Sequence, residues 1–227
     1  MTDVRRVTDI PAGIDTGVRL SVNERLQHGT MFVSFTVLAL SGFMVHLPRA
    51  VIVALGLASP TVFEIRGTIH RVSGIAMVVL SVYHTLYLLG TRRGRWQLRE
   101  MMPRRCDWAE FRQTLSHFRD GDAPRPRYGW YNYAEKAEYW ALVWGTAVMV
   151  LTGFILWLEE LSPKIVIDVS AAIHRYEAIL AVLAVVVWHV YHVHLSPEVF
   201  PMNPAWLTGK TGAGEPKDGP TEGADHE

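Results

Sequence analysis

The sequence predicts an all-α membrane protein, a four-transmembrane-helix bundle with both termini cytoplasmic. Three observations carry that prediction. Four apolar runs, at about 29–47, 68–90, 138–158 and 170–195, each supply the roughly 20 helical residues that cross a hydrocarbon core of about 30 Å. The chain has 227 residues, so little is left over for a soluble domain. The connectors differ in charge: residues 91–130 hold ten arginines against five acids, whereas Glu159, Glu160, Lys164 and Asp168 give the later connector a net negative count. Positive loops stay inside, which places the arginine-rich connector in the cytoplasm and the acidic one outside.

The elements follow in order. Residues 1–22 read as a cytoplasmic N-terminal segment. The first 27 residues hold four arginines and four acids without an apolar stretch, which is not the pattern of a cleavable signal peptide. The membrane domain spans 23–200. Residues 51–59 are apolar but too short to cross, and are expected to cap the external side. Within the cytoplasmic loop 91–134, Trp108, Phe111, Leu115 and Phe118 recur at helical spacing behind Asp107, a candidate N-cap. Their arginine flanks suit a helix lying in the interface. Residues 208–227 are dominated by Gly, Pro, Lys, Asp and Glu, a composition that reads as a disordered tail. Lys+Arg and Asp+Glu balance at 22 each, so no net field attracts nucleic acid. Cys106 is the only cysteine, which excludes an intrachain disulfide and a thiolate-held iron–sulfur cluster within this chain.

A short repeat links the two halves. The first run ends Leu40-Ser41-Gly42-Phe43 and is followed by Ile69-His70-Arg71; the third ends Leu151-Thr152-Gly153-Phe154 and is followed by Ile173-His174-Arg175. Four residues past each of these histidines stands a small residue, Gly74 or Ala178, on the same helical face. A flat macrocycle could lie close to the backbone there.

Ionisable groups at membrane depth are costly and mark function, and the spacing of these histidines points to haem. His70 and His84 are 14 residues apart, about 21 Å of helical rise, and His174 and His189 are 15 apart, about 22 Å. Each pair therefore reaches both membrane faces, as two stacked b haems require. In this topology His70 and His174 share the external level and would clamp one haem iron. At the cytoplasmic level His189 is the deepest of His189, His192 and His194, and either His28 or His84 could face it; His192 could be an alternative ligand. The extra histidines leave room for a third haem. Arg71 and Arg175 follow the external ligands and suit haem propionates. His46, His117 and His226 receive no role.

Before the third run comes Tyr131-Asn132-Tyr133-Ala134-Glu135-Lys136, at the cytoplasmic boundary. Quinone reduction needs a hydrogen-bond donor, a proton carrier and aromatic walls. Asn132 could hold a carbonyl, Glu135 could carry protons, and Tyr139 and Trp140 could line the slot. An ordinary aromatic belt with helix-start acids would look the same.

These words in this order, with Glu24-Arg25-Leu26-Gln27-His28 before them and Trp188-His189-Val190-Tyr191 after them, resemble the cytochrome b gamma subunit of respiratory formate dehydrogenase and its relatives in thiosulfate reductases and multihaem complexes. The resemblance covers about residues 20–200. It implies an external haem on His70 and His174, a cytoplasmic haem on His28 and His189, and a menaquinone or ubiquinone site near Asn132 and Glu135. It also implies a periplasmic redox subunit, an iron–sulfur or multihaem cytochrome c protein, and a place in the bacterial inner membrane as a multi-pass subunit of a respiratory oxidoreductase. The spacing from His174 to His189 is one residue longer than the family pattern. The rival expectations are a free-standing cytochrome b carrier and a non-redox, histidine-rich membrane anchor or metal-binding protein.

Overall fold

The computed structural model describes residues 17–120, 129–195 and 200–210. Eight α-helices form there: α1 (Val22–Phe43), α2 (Arg49–Ala54), α3 (Pro60–Gly90), α4 (Arg92–Met101), α5 (Arg105–Arg119), α6 (Tyr133–Trp157), α7 (Lys164–Leu183) and α8 (Ala205–Thr208). Helix α7 runs on as two π-helical segments, Ala184–His189 and Tyr191–Leu195. Four helices are long and apolar enough to cross a membrane: Val22–His46, Pro60–Gly90, Tyr133–Trp157 and Lys164–Leu195.

Each span begins earlier than its apolar run, and in α1, α3 and α6 the start is set by a capping side chain. Ser21 accepts from the Glu24 N–H while the Glu24 carboxylate takes the Ser21 N–H, and Asn132 and Glu135 do the same for α6. Such a reciprocal cap satisfies two orphan donors, and an N-cap is typically worth about 1 kcal/mol. Helix α3 starts at Ser59-Pro60, where proline loses no hydrogen bond. The flanks of the spans stay exposed at Val79, Leu86, Trp144, Leu151 and Val187. That apolar surface is what a lipid-facing helix presents.

The helices associate as two antiparallel pairs. Close backbone contacts concentrate between α1 and α3 and between α6 and α7. The pairs meet each other largely through side chains. Buried small and hydroxyl residues mark the close approaches within each pair: Ser34 and Ser41 on α1, Gly145 and Thr152 on α6, Ser170 on α7. Residues 51–54 do form a short helix at the end of the bundle where α1 gives way to α3, in line with the expected cap.

The opposite end carries α4, α5 and α8 together with the start of α1. Helix α4 is polar and arginine-rich, and its buried Trp96 packs edge-on against Trp130 with ring centres 5.1 Å apart. Asp107 is not the N-cap of α5, correcting the expectation. That position is Arg104, and Asp107 sits one turn inside, accepting the Arg104 N–H at 2.6 Å. The Asp107 carboxylate also takes the ammonium of the buried Lys136 at 2.7 Å, which ties α5 to α6. The segments around Leu20 and Gly209 meet at this face: Leu20 donates to the Gly209 carbonyl, and Arg25 donates to the Leu207 carbonyl. The expected N-terminal segment lies outside the described residues up to residue 16, as does the expected tail from residue 211.

Candidate functional site

Two pairs of imidazoles face each other across the space between the helix pairs. At the α2 end, His70 of α3 and His174 of α7 stand with ring centres 6.4 Å apart; at the α8 end, His28 of α1 and His189 of the π-helical segment stand 6.3 Å apart. An iron held between two imidazoles needs two metal–nitrogen bonds of about 2 Å. Adding roughly 1 Å from each nitrogen to its ring centre gives a separation of about 6 Å. Both pairs stand at that distance.

The tautomers at the α2 end follow from local hydrogen bonds. Ser41 Oγ has one proton and donates it to the Val37 carbonyl at 2.6 Å, so toward His70 Nδ1, at 2.9 Å, it accepts. Thr152 Oγ1 donates to the Val148 carbonyl at 2.7 Å and likewise accepts from His174 Nδ1 at 2.9 Å. Both rings are thus protonated at Nδ1, and each Nε2 keeps its lone pair for a metal, the usual outcome of a second-shell bond to a ligating histidine. The adjacent glycines make room. A Cβ at Gly42 would stand 3.3 Å from His70 Cε1, and one at Gly153 would stand 3.5 Å from His174 Cε1. The repeated Ser/Thr-Gly words are therefore the seats of the two imidazoles. Sequence reading found the repeat without its purpose.

The α8 end is built differently. His189 Nδ1 lies 2.6 Å from a carboxylate oxygen of Glu138 on α6. His28 Nδ1 is buried without a hydrogen-bond partner. Trp206 of α8 stands near both His28 and His194, at 6.4 Å from each ring centre. In an α-helix the 15 residues from His174 to His189 overshoot four turns by about 60°. The π segment winds more slowly and absorbs the extra residue; its register shows in the Val190 N–H, which bonds the Val185 carbonyl five residues back.

The other predicted site residues fall elsewhere. Both nitrogens of His84 are engaged by the protein, Nδ1 with Gln27 Oε1 at 2.7 Å and Nε2 with the Tyr139 hydroxyl at 3.2 Å. His192 lies on the exposed face, with its ring 4.2 Å from Trp188. Arg71 and Arg175 are exposed, and the Arg71 guanidinium lies 5.9 Å from the Trp157 ring centre. Asn132 and Glu135 form the cap of α6, and Glu135 also accepts from Arg19 at 2.8 Å. Just outside the span, burial raises the pKa of the Tyr131 phenol.

Two arginines that sequence reading passed over stand one turn from a histidine of each pair. Arg25 lies three residues before His28 and Arg66 four before His70, each one turn nearer the end of the bundle and on its histidine's own face. Arg66 donates to the Ser41 carbonyl at 3.0 Å, and the Nε atoms of both arginines are buried without partners. The i−3 and i−4 spacing was the available signal.

Residues 19–199 match the prokaryotic cytochrome b561 family. No curated protein matches the chain. The matched segment covers most of the chain, which belongs to that family: it is a multi-pass membrane cytochrome of b type.

Proposed function

We propose that this b561 cytochrome carries electrons across the bacterial inner membrane between an external redox subunit and the quinone pool, as the membrane subunit of a respiratory oxidoreductase of the formate dehydrogenase gamma type. The observation that carries the reading is the pair of facing imidazoles at each end of the bundle, both at bis-histidine spacing. In this reading His70 and His174 hold one b haem, and His28 and His189 hold the second. Bound there, haem supplies reversible one-electron chemistry. His84, committed to Gln27 and Tyr139, and His192, on the outer face, are left out, which makes the complement two.

The protein's own residues then have defined work. Ser41 and Thr152 fix two ligand tautomers. Arg25 and Arg66, whose Nε donors are buried without partners, take the propionate role first expected of Arg71 and Arg175. The arginine-rich connector sets the α8 end in the cytoplasm. Quinone exchanges two electrons and two protons, so proton-bearing groups must stand beside the histidines at that level. Tyr139 follows Glu138 in sequence, Gln27 precedes His28, and His84 bridges the two between α1, α3 and α6. In this reading the quinone role moves from Asn132 and Glu135, which hold the start of α6, to Tyr139 and His84.

The test is spectroscopic. The purified protein should show a sharp b-type α-band in its reduced-minus-oxidised spectrum and two haems per chain by extraction. A chain with no α-band would refute the reading. Adding a quinol analogue should reduce the haem in the native protein. Tyr139→Phe should slow that reduction at least tenfold while leaving reduction by dithionite intact.

A further inference from the structure

We propose that Glu138 sets the redox order of the protein, holding the His28/His189 level below the His70/His174 level in potential. The inference rests on the haem assignment above and adds to it the partner of each ligand. His189 donates Nδ1–H to a carboxylate at 2.6 Å, whereas His70 and His174 donate to neutral hydroxyls at 2.9 Å. Those hydroxyls cannot take on negative charge, because each is spent as a donor on its own helix's carbonyl.

A carboxylate partner raises the basicity of a ligating imidazole. A more basic ligand favours the ferric ion over the ferrous, since the ferric ion carries the larger charge, and second-shell hydrogen bonding is one of the levers on haem potential. Cations act in the opposite sense. At the α2 end Arg66 stands one turn from His70, bound to the Ser41 carbonyl, which favours the ferrous state there. At the α8 end Arg25 is likewise cationic, one turn from His28 and bound to the Leu207 carbonyl, so the two arginines offset each other. Glu24 is already neutralised by Arg93 at 2.8 Å, and Glu135 by Arg19 at 2.8 Å. Glu138 is the charge joined directly to a ligand ring; the carboxylate of Glu177, three residues after His174, lies against Gly145 of α6. The difference in hydrogen-bond partner places the higher potential at the α2 end.

The experiment is a redox titration of the α-band in the native protein and in variants. His70→Ala should leave one haem, and His189→Ala should leave the other. The haem left in His70→Ala should titrate below the one left in His189→Ala. In the His70→Ala background, Glu138→Gln should raise the potential of the remaining haem by at least tenfold in its ferric-to-ferrous ratio, about 59 mV for one electron. Glu138→Asp should restore most of the difference, and neither change should move the haem left in His189→Ala. The inference is overturned if the two single-haem variants titrate in the reverse order, or if Glu138→Gln keeps its haem and moves nothing. Should Glu138→Gln lose its haem, the order in the single-haem variants still decides. Failure of the haem assignment would look different: His70→Ala or His189→Ala would retain both haems.

Discussion

At the α2 end the two helix pairs repeat one another almost residue for residue. Ser41 and Thr152 hold the Nδ1 atoms of His70 and His174 at the same 2.9 Å, and Gly42 and Gly153 clear the space beside Cε1. At the α8 end the halves have diverged. One ligand candidate leans on a carboxylate, the other has an unpartnered Nδ1, and a π-helical stretch brings His189 into line. The comparison teaches that two sites with the same imidazole spacing need not have the same chemistry. Spacing admits a metal between the rings; the partner on the far nitrogen tunes it.

The largest effect should come from the rings themselves. His28→Ala, His70→Ala, His174→Ala and His189→Ala should each reduce extractable haem from two per chain to one. His84→Ala should retain two, since both of its nitrogens bond to protein. Retention of both haems in His28→Ala together with loss of one in His84→Ala would reverse the assignment at the α8 end and dissolve the contrast.

The next effect concerns the seats at the α2 end. Ser41→Ala or Thr152→Ala removes the acceptor of a buried Nδ1–H, and loss of such a second-shell partner typically costs 10–100-fold in metal affinity. The cost should fall on the α2-end haem alone, read as haem retention against a competing apoprotein. Gly42→Ala should cost more than Gly153→Ala, because its Cβ meets the ring at 3.3 Å rather than 3.5 Å. Equal losses at both ends of the bundle would mean that these residues support the fold in general and not their own imidazoles.

Much of this was legible from sequence. The four spans declare themselves by apolar length, and His70 and His174 by their repeated setting. Other features were hidden for separate physical reasons. Helix α4 has almost no apolar run, and a single buried Trp96 anchors it, so hydropathy passes over it. Glu138 stands 51 residues before His189, in the second turn of α6; only the packing of α6 on α7 reveals its partner. The π segment cannot be read from Val185, Val186 and Val187, because every one of them suits an ordinary apolar helix. The cap of α5 was misplaced by one turn because Asp107 is an excellent cap residue, and here it serves from inside the helix.

The smallest expected effect lies outside the membrane and sharpens the contrast from the α8 side, the end whose stability rests on extramembrane carboxylates. Glu110 of α5 has a buried, unpartnered Oε2. Its pKa is raised, first by burial and then by neighbouring Asp107, while Lys136 opposes the shift. The sign follows directly. A carboxyl whose folded pKa lies above its unfolded value binds more protons when folded, so stability falls as pH rises between the two values and stays lower above them. Glu110→Gln removes that penalty. Amide hydrogen exchange in α5 should therefore slow in the variant relative to the native chain at neutral pH, and the two should converge below the unfolded carboxyl range. Exchange in α2, which has no such group, should be unchanged at every pH. If α5 shows the same pH dependence with and without the Glu110 carboxyl, then the Lys136–Asp107 contact alone governs how α5 sits on α6.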